Sequence, residues 1–261
     1  MNSYDDDAIV LRTQKLGEAD RIVTFLTHHH GQVRAVAKGV RRTKSRFGAR
    51  VEPFAHVAIQ FHRGRSNLDI VTQVITHDAF GGSLSADYGR YTSGSAMLEM
   101  AERLTQLERE PNVDQYMLLL GGLRSLSRQE HATGLILDAY LLRALAVAGW
   151  AVALDVCARC GAAGPHRAFA IAAGGVVCAQ CRPPGSAAPA AQTVELMGAL
   201  LTSDWATADA SDERTRREAA GLIAAFAQYH LESGLRSLRL VDRSEVAQTG
   251  PDEQLESQEQ S

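Results

Sequence analysis

Apolar side chains change their spacing part-way along this chain, and the change divides it into two kinds of structure. From His56 to His62 the alternation is strict: Val57, Ile59 and Phe61 share one face, with His56, Ala58, Gln60 and His62 on the other. That two-residue period belongs to a strand with one buried side. Comparable runs occur at Ile9 to Leu11, Arg21 to Thr27, Gln32 to Lys38 and Leu68 to Thr76, separated by turn residues at His30-Gly31 and Gly64 to Asn67. Five short strands between residues 8 and 78 fit a small antiparallel barrel, because closure removes exposed edges. A small sandwich or an SH3-like barrel satisfies the same pattern.

From about residue 85 the period becomes helical. Met97, Ala101, Leu104 and Leu107 recur at helical steps, and Pro111 should end that run. Asn112 and Gln115 form a capping pair for a helix presenting Tyr116, Leu119, Leu120 and Leu123. Leu135 to Ala148 is apolar on most sides, which predicts a buried helix ended by Gly149. Thr193 to Leu201 and Arg214 to Leu231 read as amphipathic helices, the second showing Ala219, Leu222, Ile223, Phe226 and Tyr229 on one face.

Among these helices lie two C-x-x-C pairs, Cys157/Cys160 and Cys178/Cys181, with seventeen residues between them. Each pair can offer two thiolates from one tight turn, and four thiolates fill a tetrahedral zinc shell. Phe169 to Val177, with Gly174-Gly175, can form the hairpin that brings the pairs together. The spacing therefore predicts one structural zinc ion, since a closed shell of four cysteines leaves no position for a catalytic water. A thioredoxin-like redox pair would call for a preceding strand–helix unit, and a zinc deaminase for an H-x-E; neither is present. His166 is a possible substitute ligand or a surface histidine.

Charge is unevenly distributed. The chain has a net charge of −3, yet Arg34, Lys38, Arg41, Arg42, Lys44, Arg46 and Arg50 fall in a stretch without a single acid. Arg63 and Arg65 add two cations in a second loop. Basic loops on a small barrel suit a phosphate backbone, and Phe47, Phe54 and Phe61 are aromatic neighbours, the last on an apolar strand face. Residues 244–261 carry five acids and no base, the composition of a disordered, solvated tail. Asp5-Asp6-Asp7 and His28-His29-His30 are read as a mobile terminus and a polar turn. No nucleotide-binding, nucleophile-elbow or metalloprotease motif appears, which disfavours an enzyme. No apolar run is long enough to span a membrane, and MNSYDDDAIV is acidic where a secretion signal is basic. A cytoplasmic location follows as the expectation.

The segments GEADRIVTFLT, AKGVRRTKSRFG, and EPF followed by HRGRSNLDIVTQ, together with the ordered C-x-x-C pairs, resemble the bacterial RecO family of DNA repair proteins over about residues 8–243. The resemblance implies a multidomain α+β protein: an OB-fold barrel followed by an α-helical domain carrying a four-cysteine zinc module. The boundaries expected are 1–80, 81–243 with the module at about 155–183, and the tail 244–261. It further implies a recombination mediator that binds single- and double-stranded DNA, anneals complementary strands and helps load RecA onto coated single strands. RecR and the acidic C-terminal tail of single-strand binding protein are the implied partners, with association with the nucleoid. Carried over, the implied DNA contacts are Arg34, Lys38, Arg41, Arg42, Lys44, Arg46 and Arg50, with Arg63 and Arg65 secondary. Arg214, Arg216 and Arg217 are candidates for the partner's acidic tail, or plain solvated helix charges. The rival reading is an OB-fold RNA-binding protein with a structural zinc knuckle.

Overall fold

In the computed structural model, which describes residues 2–42, 45, 47–64, 68–107, 109–231 and 235–241, the first strands close on themselves. These are β1 (Ser3–Leu16), β2 (Asp20–Thr27), β3 (Gln32–Ala37), β4 (Ala55–His62) and β5 (Asp69–Ala79), joined in the closed order β1-β2-β3-β5-β4. Closure is not wholly antiparallel as expected: β3 and β5 pair in parallel, with Ala35 opposite Asp69 and Val36 opposite Ile70. This is the OB-fold arrangement. Inward positions Val10, Val23, Phe25, Val33, Val57, Ile59, Phe61 and Val71 fill the barrel. A register shift in β1 between Val10 and Arg12 bends that long strand, so that its first half pairs with β4 and its second with β2.

Asp5, Asp6 and Asp7 are not mobile terminal acids but residues of β1, paired opposite Gln60, Ile59 and Ala58. The buried Asp6 carboxylate accepts the backbone N–H of His29 and faces the Nδ1 atoms of His29 and His30 at 3.0 and 2.6 Å. Burial acts to raise that carboxyl, but the hydrogen bonds from His30 and His29 outweigh it and hold Asp6 below the ordinary carboxylate range. The three histidines form the β2–β3 turn, as the sequence implies, and that turn is tied to the strand by Asp6.

The helices are α1 (Phe80–Ser85), α2 (Tyr88–Leu104), α3 (Val113–Arg128), α4 (Thr133–Val147), α5 (Ala191–Thr202), α6 (Trp205–Asp209) and α7 (Glu213–His230). Asn112 caps α3 by accepting the Gln115 N–H at 3.1 Å. The apolar α4 is the centre of the body and packs against α2, α3, α5 and α7. Two expectations fail here. α2 ends at Leu104, seven residues before Pro111, and leaves Leu107 exposed. Tyr229 is half-exposed near the end of α7, where the buried row runs through Ala219, Ala220, Ile223, Phe226 and Ala227 instead.

Barrel and helices share one apolar cluster, to which the barrel contributes Ile9, Leu11, Leu26 and Phe54. Polar ties reinforce the seam: the Arg109 N–H donates to Gln32 O at 3.1 Å, and Gln32 Nε2 donates to Glu102 O at 3.2 Å. Among the described residues no helix is long and apolar enough to cross a membrane.

Candidate nucleic-acid interface and metal centre

The basic stretch begins on β3, where Val33, Ala35 and Ala37 point into the barrel and Arg34 stands on the outer side. Register then sets the surroundings. Ala37 lies opposite Arg21, so Lys38 leaves β3 beside the start of β2. Asp69 lies opposite Ala35, so the β4–β5 connection enters beside the residue after Arg34. Arg34 and Lys38 thus sit between two loops.

Beyond Lys38 the chain is pinned from both sides. Gly39 N–H donates to Asp20 Oδ1 at 2.7 Å and Arg41 N–H to Ala19 O at 3.0 Å, which fastens this connection to the β1–β2 turn. Val40, Phe47 and Val51 insert into the barrel core. With its apolar residues turned inward, the connection presents Lys38, Arg41, Arg42 and Arg50 to solvent. Arg41 Nη1 also reaches Gly17 O at 3.2 Å. Nearby Arg21 is paired with Glu52 and belongs to the scaffold rather than the free surface. In the second loop Arg63 is exposed, its guanidinium 5.5 Å from the centroid of the Tyr4 ring. Lys44, Arg46 and Arg65 lie outside the described residues, as does the acidic segment 244–261.

The aromatic neighbours are a correction. Phe47, Phe54 and Phe61 are all buried, so none can stack on a base. What the described part of the connection offers is charge beside backbone anchored at Gly39 and Arg41. On the helical body, Arg217 pairs with Glu213, and Arg216 donates to Ser211 Oγ and Asp209 O. Two of that trio therefore serve α7 and its N-terminal turn.

Sequence reasoning missed a carboxylate hub at the seam. Asp69 is almost wholly buried and accepts the Tyr4 hydroxyl at 2.6 Å, Arg109 Nη2 at 3.0 Å and the Gly64 N–H at 3.2 Å. Tyr4 and Arg109 are remote in sequence, and an isolated Asp in a strand gives no local signal.

The four cysteines do come together. β6 (Ala168–Ala170) and β7 (Gly175–Val177) form the expected hairpin, and all four Sγ atoms lie within 4.8 Å of one another. Cys160 and Cys178 Sγ are 3.9 Å apart, against about 3.8 Å for the edge of a tetrahedron with zinc–sulfur bonds of ~2.3 Å. The first knuckle closes through Gly161 N–H to Cys157 O at 2.8 Å, with Gly161 in the left-handed region at φ +72°. Cys178 N–H points at Cys157 Sγ at 3.4 Å. N–H groups of Cys178 and Cys160 hold the Cys157 thiol below its ordinary value, while hydrogen bonding to the Cys178 and Cys160 sulfurs pushes Cys181 up. Four thiolates this close repel one another unless a cation sits among them, so the donor set fits a metal ion. His166 is turned away, with Nε2 2.9 Å from Ala162 O.

The barrel and the helical body agree with what the chain is similar to. A family model described as "Recombination protein O N terminal" matches residues 1–80, and one described as "Recombination protein O C terminal" matches residues 85–239. The chain belongs to the RecO family. Among its RecO relatives, DNA repair protein RecO of Thermobifida fusca (strain YX) is 60% identical over 244 residues, covering 94% of this chain and 100% of the relative. That of Streptomyces griseus is 59% identical over 248 residues, covering 93% and 100%. The family model begins at residue 1, so the N-terminal acids lie within the RecO match rather than outside it.

Proposed function

We propose that this RecO-family DNA repair protein binds single- and double-stranded DNA through the barrel and anneals complementary strands. The observation that carries this reading is the β3–β4 connection, anchored at Asp20, Ala19 and the barrel core, with Lys38, Arg41, Arg42 and Arg50 turned to solvent. Arg34, Arg63 and the sequence neighbours Lys44, Arg46 and Arg65 extend the basic character. Cations on a fixed loop neutralise phosphates without engaging base edges. Neutralising two strands at once lowers the repulsion that opposes pairing and leaves the bases free to match. No bond is made or broken, so the activity is that of a chaperone for DNA strands rather than of an enzyme.

The family supports the remaining assignments: a mediator that works with RecR, recognises the C-terminal tail of single-strand binding protein and helps load RecA, in the cytoplasm at the nucleoid. The working units are residues 1–80, 81–243 and 244–261. Cys157, Cys160, Cys178 and Cys181 hold one zinc ion, which supplies a structural cross-link.

The test is the salt dependence of fluorescent single-stranded DNA binding, wild type against Lys38→Ala/Arg41→Ala/Arg42→Ala. Loss of three phosphate contacts should flatten the log–log slope by about two units. An unchanged slope would remove this connection from the interface. Competition with an RNA of the same sequence separates the DNA reading from its RNA rival, through contacts to the ribose hydroxyl.

A further inference from the structure

Between Asp155 and Glu195 the chain has no acidic residue, but it has Arg159, Arg167 and Arg182, all exposed. The hairpin gathers them at one end. Arg159 lies inside the first knuckle, between Cys157 and Cys160, and Arg182 directly follows Cys181 of the second. Ala168 is opposite Val177, so Arg167 stands across the hairpin from Cys178. Ala158 N–H donates to Val176 O at 2.8 Å, which lays the first knuckle along the same strand.

The three guanidiniums stand apart from most arginines of the helical body. Arg90, Arg103, Arg124, Arg128 and Arg217 face carboxylates, and Arg143 and Arg216 donate to carbonyls. The guanidiniums of Arg159, Arg167 and Arg182 make no ion pair or hydrogen bond with any other described residue. Their neighbours Gly161, Ala162, Ala163 and Gly164 are exposed and small, so the arginines are the tallest groups on a low surface. Phe169, the aromatic residue of the hairpin, is buried and cannot stack on a base. Unpaired arginine forks over a surface of small residues match phosphate oxygens, and the acid bordering them is Asp155, whose carbonyl accepts the Gly164 N–H at 2.8 Å.

We propose that the cysteine end of this hairpin is a second site for a sugar–phosphate backbone, taking one DNA strand while the barrel connection takes the other. The inference rests on the annealing reading and supplies what annealing requires, two strand-binding surfaces on one molecule. The module is anchored in the helical body, where Phe169 and Val176 join the cluster containing Phe226, so this surface is built independently of the barrel loops.

A competing role for these arginines is to offset the negative charge of a metal–tetrathiolate centre, and the experiment separates the two. Arg159→Ala/Arg167→Ala/Arg182→Ala is compared with wild type, with the barrel triple variant, and with the Lys replacements at the same three positions. Metal content, the single-strand salt slope, and energy transfer between two non-complementary labelled strands bound to one molecule are measured. The expected result is full metal content, retained binding of one strand, a loss of two-strand occupancy of about tenfold, and rescue by lysine. Unchanged two-strand occupancy, or loss of metal in the Ala variant, overturns the inference. If wild type and the barrel variant bind DNA alike, the annealing reading itself has failed; if only the barrel variant is impaired, that reading stands and the second site does not.

Discussion

The Tyr116 hydroxyl lies 2.9 Å from His56 Nε2, joining α3 to β4 across the seam between the helices and the barrel. On its other side His56 Nδ1 is 3.1 Å from Asp78, which also accepts Arg124 Nη2 at 3.2 Å. Burial raises the Tyr116 phenol far above its ordinary value, so it keeps its proton and donates to Nε2. The imidazole proton then sits on Nδ1, toward Asp78. Burial also depresses His56, and the opposing pull of Asp78 does not restore it.

A histidine depressed in the folded state binds protons more readily when the chain unfolds. Its stabilising share is therefore present above the unfolded value of 6.5 and is lost as pH falls from there toward the folded value. Wild type should lose melting temperature between about pH 7 and about pH 5 more steeply than His56→Gln, which keeps hydrogen-bonding capacity but does not titrate. Parallel curves would exclude His56 from the acid response.

Asp69 gathers Tyr4, Arg109 and Gly64 onto one buried carboxylate, linking β1, β5 and the α2–α3 connection. Burial opposes its ionisation, but the Tyr4 and Arg109 hydrogen bonds prevail and hold it below 3.8. Asp69→Ala should cost about 2–3 kcal/mol at neutral pH, the low side for a buried pair because Arg109 is partly exposed. A group lowered in the folded state stabilises above its unfolded value and stops doing so as pH falls through the folded one. The difference from wild type in urea denaturation should thus shrink in strong acid.

Much of this was legible in the residues, and the failures have physical reasons. Alternation marked the strands because each has one buried face, and the C-x-x-C pairs marked a metal-sized cluster because thiol geometry is local. Asp5 to Asp7 misled because three acids at a terminus look solvated, whereas β1 extends to Ser3 and buries Asp6 under the histidine turn. Phe47 and Phe54 misled because ring position relative to the core depends on the path of an irregular connection. The parallel β3–β5 closure and the Asp69 hub are long-range pairings, which periodicity cannot report.

The β2–β3 turn docks closely on the segment before α3. Gly31 has φ +63°, and a Cβ there would lie 2.0 Å from Glu110 O. Gly17, at φ +57°, has open space instead. Gly17→Ala should cost about 1 kcal/mol from backbone strain alone, whereas Gly31→Ala adds a backbone clash and should cost about 2 kcal/mol or more. Chemical denaturation of the two variants isolates the value of the docking, and equal losses would show that the turn can withdraw freely.

The metal centre proposed at the four cysteines has a local consequence that can be separated from the rest of the fold. Phe169 is buried near Phe226, their ring centroids 6.5 Å apart, so the hairpin is held at one end by the helical core and at the other by the cysteines. Removing the ion with a chelator should release only the cysteine end. All four thiols should then react with a disulfide reagent, where the metal-bound protein resists, and trypsin should cut faster at Arg159 and Arg167, though not after Arg182, which Pro183 follows. Helical ellipticity should change little, because α4 packs directly against α2, α3, α5 and α7. Full thiol reactivity before chelation would show that the cluster holds no ion. Chelation that also melted the helices would mean that the pairing of Phe169 with the core depends on the metal and is not an independent anchor.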